Sequence, residues 1–254
     1  MALSTRRLRA AYRLLRCGLH IGRGIAICAL VFPFIDAAQR MAHVGRWNTR
    51  LLHLLGITVR ASGIPNDGAT LFVANHVSWL DIPVIISLRP MRFVSKSDVR
   101  GWPVIGWLVA CGGTLFIERT RRSDARRVVH LVAAALQAGD PIAMFPEGTT
   151  SDGHGVLPFH ANLLQAAVVS ALQVQAIALR FSDAREPVSA AAAYIGDTTL
   201  MQSLWAVASA SDLTAHVAVL PALPSQGFER RALAERLRAD ISAHLVRGAA
   251  EGVG

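Results

Sequence analysis

Lysine is almost missing from this 254-residue chain: Lys96 stands alone, and the other twenty-five of its 26 basic residues are arginine. Cysteine is scarce too. Cys17, Cys28 and Cys111 are odd in number, scattered and outside any C-x-x-C pattern, which excludes a disulfide framework and a thiolate zinc site. Such usage fits a reduced, cytoplasm-facing compartment. Charged residues are only 17% against 52% hydrophobic, so long disordered tails are excluded. Acids number 17, which leaves a net charge of +9. That excess calls for an anionic partner: nucleic acid, anionic lipid or a phosphorylated substrate. Aromatics are few and do not interleave the basic stretches, which speaks against a nucleic-acid binder.

Several common chemistries lack their motif. No G-x-S-x-G is present, against a serine-nucleophile hydrolase. Ser95 precedes Lys96 where a P-loop needs glycine, and no complete G-x-G-x-x-G occurs. Asp152, His154 and His160 match no standard ligand spacing, so no metal is expected.

What the chain has in plenty is apolar sequence, with a mean hydropathy of +0.38. Arg6, Arg7, Arg9, Arg13, Arg16 and Arg23 all precede the first acid, Asp36. The apolar run Ile25–Ile35 follows, broken by Pro33, with no small-residue cleavage site after it. It is short of the roughly 20 residues a spanning helix needs. A helix lying in a membrane interface fits this pattern; a basic helix packed on the domain would share it. Met41, Val44, Leu51, Leu52 and Leu55 keep a helical period up to Gly56. Residues 1–56 are therefore expected to form a membrane-associating helical hairpin, ahead of a domain over 57–250.

Beyond it, strand and helix patterns alternate. Strands are expected at Thr70–Ala74, Met91–Ser95, Thr114–Ile117, Ile142–Phe145 and Ala176–Phe181, with weaker candidates at Ala190–Ile195 and Ala215–Val219. Helices are expected at Trp102–Ala110, Ser123–Ala138, Phe159–Leu172 and Phe228–Val246. The alternation predicts an α/β fold, a sheet flanked by helices on both faces.

Two blocks carry the chemistry. Asn75-His76-Val77-Ser78-Trp79-Leu80-Asp81 lies just past a buried strand, where open α/β sheets place their sites. Five residues turn about 500° on an ideal helix, so His76 must precede a helix whose first turn holds Asp81. A carboxylate there fixes the proton on one ring nitrogen and leaves the other as a base. A hydrogen-bonded histidine at a helix start is the plain alternative. Phe145-Pro146-Glu147-Gly148-Thr149-Thr150-Ser151 also follows a strand. Gly148 permits a positive φ, turn N–H groups can hold phosphate, and Glu147 suits orienting an arginine or a hydroxyl. A third stretch, Gly113–Arg119, puts a guanidinium at a strand end.

Together these blocks resemble the glycerolipid acyltransferase family, in particular bacterial 1-acylglycerol-3-phosphate acyltransferases. Asn75-His76-x4-Asp81 looks like the first motif, Gly113–Arg119 the second and Phe145–Ser151 the third. Val174–Leu179 sits where the fourth belongs, but Gln175 and Ala176 occupy the place of its usual proline. The resemblance covers roughly residues 60–220. It implies a seven-stranded mixed, mostly parallel sheet preceded by membrane helices. It implies acyl transfer from acyl carrier protein or coenzyme A to the hydroxyl of a lysophospholipid, with no bound cofactor. The acceptor it points to first is 1-acyl-glycerol-3-phosphate, giving phosphatidic acid; Thr150–Phe159 also looks like relatives that acylate lyso-ornithine lipids. His76 and Asp81 would be the catalytic pair. Arg119 and Lys96 would bind phosphate, and Glu147, Gly148 and Thr149 would shape the acceptor pocket. The implied location is the cytoplasmic face of the bacterial inner membrane. A non-catalytic binder of anionic membrane or nucleic acid is the distant alternative.

Overall fold

Every residue of Thr70–Ala74 is buried, so this strand needs cover on both faces. Leu71 and Val73 enter one hydrophobic cluster, Phe72 and Ala74 the other, as a period of two requires. The computed structural model describes residues 2–117 and 122–251. In chain order its elements are α1 (Ala2–Leu30), α2 (Ala37–Leu55), β1 (Thr58–Ser62), β2 (Thr70–Ala74), α3 (Asp81–Leu88), β3 (Arg92–Lys96), α4 (Ile105–Cys111) and β4 (Leu115–Ile117). There follow α5 (Arg122–Gln137), β5 (Ile142–Met144), α6 (Gln165–Ser170), β6 (Gln173–Ser182), α7 (Leu200–Ser209), β7 (Thr214–Val219), β8 (Leu223–Pro224) and α8 (Arg230–Glu251).

The strands run in the order β1-β7-β6-β2-β5-β3-β4, with two-residue β8 beside β6. All neighbours are parallel except β6 with β7 and β8. The expected mixed, mostly parallel sheet is therefore present, with an eighth short strand among the described residues. Helices α2, α3 and α7 pack one face; α5, α6 and α8 pack the other. Among the connections between parallel strands, β2-α3-β3 steps one way with its helix on one face, and β4-α5-β5 and β5-α6-β6 step back with theirs on the other, as right-handed crossovers require; α7 joins the antiparallel pair β6 and β7.

Some expectations give way. Ala190–Ile195 is not a strand. Its alanines alternate weakly, and its backbone is satisfied by loops instead: Ala192 N–H donates to Ser189 O and Tyr194 N–H to Val77 O. The helix expected over Phe159–Leu172 shrinks to a 3-10 turn at Ala161–Leu164 and α6, because His160 is still extended (ψ 95°) and Ala171 turns left-handed (φ 51°). Helix α7 is an addition to the expected elements; Thr199 and Gln202 form the capping box that marks its start.

Helices α1 and α2 form the expected hairpin, and α1 is longer than its apolar core. His20 and Trp47 stack at 4.7 Å and exchange ring-to-carbonyl hydrogen bonds. Gly24 lies where a Cβ would meet the Trp47 indole at 2.7 Å. Gly56 ends α2 with φ 75°, and Arg13 fills the space its Cβ would need. Three of the six N-terminal arginines turn inward: Arg6, Arg9 and Arg13 donate to the carbonyls of Ala208, Ser209 and Ala210, around the C-terminus of α7. Guanidinium groups there complement the negative end of the helix dipole. Cys28 of α1 meets Cys111 of α4 through a thiol hydrogen bond, and burial pushes the Cys28 thiol up to about 12.

Candidate active site

The site forms where β2 leaves the sheet. Asn75, fully buried, replaces the ladder with its side chain: Oδ1 accepts Leu179 N–H at 2.8 Å and Nδ2 donates to Leu179 O at 2.9 Å. With that splint in place the backbone is free to turn at His76.

His76 Nδ1 lies 2.7 Å from Asp81 Oδ2. Asp81 is the first residue of α3 and its side chain is wholly buried, while the His76 side chain is 18% exposed. The same Asp81 oxygen accepts the N–H groups of Val77 (2.7 Å) and Ser78 (2.9 Å). A carboxylate only accepts, so Nδ1 carries a proton, and in the neutral ring the lone pair is then on Nε2. Nε2 has no hydrogen bond among the described residues. The ring lies flat on Phe145, centroids 3.9 Å apart and planes 5° from parallel. The spacing argument thus finds its geometry, with His76 ahead of the helix and Asp81 in its first turn. Phe145 as the platform was not anticipated; its only signal is its place as the last apolar residue before the turn.

Glu147 holds the backbone of His76. One carboxylate oxygen accepts His76 N–H at 2.7 Å and the other accepts Leu157 N–H at 2.9 Å. The residue is 4% exposed. Burial pushes its carboxyl above the usual range, against those two hydrogen bonds and the His76 imidazole. Ser151 N–H donates to His76 O at 2.8 Å. His76 is therefore held by ring, N–H and carbonyl at once.

Gly148 has φ 73°, and its N–H closes the turn onto Phe145 O at 3.1 Å. Thr149 is exposed. Thr150 Oγ1 donates to Tyr194 O, which ties the third motif to the 190–198 segment. Lys96 is exposed at the end of β3, and its ammonium has no partner among the described residues. Arg119 lies outside the described residues. The carboxyl ends of β2, β3 and β5 thus bring His76, Asp81, Glu147, Gly148 and Lys96 to one edge of the sheet. Trp79, three residues after His76, donates its indole N–H to Ser203 of α7 at 3.0 Å. Nothing in the sequence pairs those two residues.

A base with one nitrogen unbonded among the described residues, backed by a buried carboxylate, can take the proton of a hydroxyl as it attacks a carbonyl. The comparisons bear on which hydroxyl. The acyltransferase family model matches residues 56–180. A lyso-ornithine lipid O-acyltransferase of Pseudomonas aeruginosa is 36% identical over 236 residues, 91% of this chain and 91% of its own. A 1-acyl-sn-glycerol-3-phosphate acyltransferase of Neisseria meningitidis is 35% identical over 190 residues, 74% of each chain. The crystal structure of the 1-acyl-sn-glycerophosphate acyltransferase PlsC from Thermotoga maritima superposes with a TM-score of 0.71 over 97% of both chains, at 20% identity, a likeness of fold.

Proposed function

The chain belongs to the acyltransferase family, and from that premise we propose that it moves a fatty acyl group from a thioester to the free hydroxyl of a lysolipid, with His76 as general base. The observation that carries the role is the 2.7 Å contact between His76 Nδ1 and buried Asp81, with Nε2 free. Nε2 takes the proton of the acceptor hydroxyl as its oxygen attacks the thioester carbonyl. The tetrahedral intermediate collapses, the thiolate leaves, and the imidazolium returns the proton to it. Asp81 holds the ring in the right tautomer and steadies the transient charge. The thioester arrives activated, so no cofactor takes part; acyl carrier protein and coenzyme A both supply such a group. Arg119 and Lys96 are assigned to an acceptor phosphate, and Gly148 and Thr149 to the pocket wall.

Two acceptors fit. 1-Acyl-glycerol-3-phosphate, giving phosphatidic acid, follows from the three motifs and from relatives so named. An ornithine-headed lysolipid is favoured by a relative that spans nearly the whole chain.

We assign the N-terminal helices, residues 1–56, to the cytoplasmic face of the inner membrane, ahead of the acyltransferase domain at 57–250. By length and composition Thr5–Phe34 is long and apolar enough to cross a bilayer. Its inner side is fastened to α7 and α2, whereas Leu8, Tyr12, Leu15 and Leu19 are 59–69% exposed in one stripe spaced four, three and four residues apart. A helix with one side docked and one bare apolar side suits lying in the interface.

The test is an assay of purified protein with a labelled thioester and a panel of lysolipids in mixed micelles. Transfer to at least one lysolipid is expected, and His76→Ala should reduce it by about 10²–10⁴-fold with the fold intact by circular dichroism. Turnover of His76→Ala near the wild-type rate would remove the base role.

A further inference from the structure

A groove of about 610 Å³ runs between the 190–198 segment and the first turns of α7. Three alanines smooth it, and its polar groups come from Asp197, Thr198, Gln202 and Ser203. It belongs to the neighbourhood of the base. Ala193 on its wall precedes Tyr194, whose N–H donates to Val77 O at 3.1 Å, and Val77 follows His76. That path keeps the Cα atoms of Ala193 and His76 within about 15 Å of each other. Ser203, on the same groove, receives the Trp79 indole N–H. Exposed Ile195, Met201 and Trp205 belong to the same two segments that form the groove, so polar lining and bare apolar side chains lie close together, as an amphipathic ligand would require.

The charge of this groove is out of keeping with the chain. The protein carries +9, twenty-five of its residues are arginines, and yet among the described residues the one charged group lining the groove is an acid, Asp197. A phosphate-bearing head would meet no cation there and would face a carboxylate. An ammonium-bearing head would meet the Asp197 carboxylate and the hydroxyls of Thr198 and Ser203, the Gln202 amide oxygen being held by the Thr199 cap. An ornithine head joined to its chain through one amine keeps the other as an ammonium beside a carboxylate, where a glycerol phosphate carries a dianion and no cation.

We propose that this groove is the head-group subsite for an amine-bearing lysolipid acceptor, with Asp197 as the residue that selects the ammonium. The proposal rests on the acyl-transfer reading above and deepens it by choosing between its two acceptors. Asp197 also lies two residues ahead of the α7 cap, where a carboxylate complements the helix dipole. That role alone would alter stability and treat both acceptors alike.

The experiment compares wild type, Asp197→Asn, Asp197→Glu and a distant control, Glu235→Gln, on lyso-ornithine lipid and on 1-acyl-glycerol-3-phosphate, with thioester saturating. Binding of each lysolipid is followed in parallel through tryptophan fluorescence, since Trp79 reaches the groove. Asp197→Asn should raise KM and weaken binding for the ornithine acceptor about fivefold, in the range of a partly solvated ion pair. It should leave kcat unchanged and should not raise KM for the phosphate acceptor, which gains if anything from the lost carboxylate; Asp197→Glu should restore selectivity, and Glu235→Gln should change nothing. Equal effects of Asp197→Asn on both acceptors, or none, would overturn the subsite. Turnover of the phosphate acceptor alone would overturn it too while leaving acyl transfer standing. Binding of the ornithine lipid that depends on Asp197, without turnover of any lysolipid, would uphold the subsite and overturn the acyl-transfer reading.

Discussion

Two buried carboxylates hold one histidine, and they hold different parts of it. Asp81 grips the ring through Nδ1, while Glu147 grips the backbone N–H and, with its second oxygen, the N–H of Leu157. Both Glu147 oxygens are spent on main chain and the residue is 4% exposed, which suits positioning His76 better than touching an acceptor. Glu147→Gln tests this. An amide offers one accepting oxygen and turns its NH₂ on the second N–H, which loses its partner at a cost of about 1–3 kcal/mol. A shift of His76 by an ångström or less is enough to lower kcat by up to about 10²-fold. Steady-state kinetics should therefore show kcat falling while acceptor KM holds; a rise in KM with kcat intact would put Glu147 on the acceptor. The contact of His76 with Asp81 was legible from the spacing together with its place just past a buried strand, because one turn of helix leaves few arrangements. The partners of Glu147 could not, because no side-chain pattern marks which backbone N–H a carboxylate will take.

Helix α1 shows the same limit one scale up. Its arginines read as a single basic stretch, but the helical period divides them. Arg6, Arg9 and Arg13 fall on the side that meets α7, beside buried Ala10, Cys17 and His20. Leu8, Leu15 and Leu19, on the opposite side, are exposed. Periodicity finds the helix and its two sides but not which side docks, since that depends on free carbonyls at the end of α7. The two sides should separate in mutants. Arg9→Ala with Arg13→Ala removes hydrogen bonds to carbonyls worth about 1 kcal/mol each, so Tm should fall by several degrees. Leu15→Ser with Leu19→Ser should leave Tm nearly unchanged and weaken binding to anionic vesicles by about 10²-fold or more, at 1.5 kcal/mol or so per leucine. Vesicle sedimentation and calorimetry decide; unaltered vesicle binding in the leucine pair would put the membrane contact elsewhere.

Across the whole molecule, the sheet was legible because its central strands are buried on both faces and alternate sharply; β1, exposed at four of its five residues, and the patternless 183–199 segment were not. The +9 charge was legible too, but not its distribution around individual histidines. His20 is held below the ordinary value of 6.5 by burial first, then by Arg23 and Arg50, against its hydrogen bond to Trp47 O. His216 is held below it by burial, then by Arg180 and Arg60, its neighbours in one cross-strand row, while Ser182 bonds its ring. In the unfolded chain both return to the ordinary value, so the unfolded state binds their protons more readily. Their neutral forms give full stability above pH 6.5, and stability is lost as pH falls below it toward the depressed folded values, by at most about 1.4 kcal/mol per pH unit for each. Glu147, raised by burial, acts in the opposite sense and lower down: as pH falls into the carboxylate range its protonation favours the fold. Urea unfolding should therefore show stability flat above pH 7 or so and declining below 6.5, with His20→Asn plus His216→Asn flattening the decline. If the double variant declines as steeply as wild type, the loss belongs to the general repulsion of a strongly cationic chain and not to these two rings.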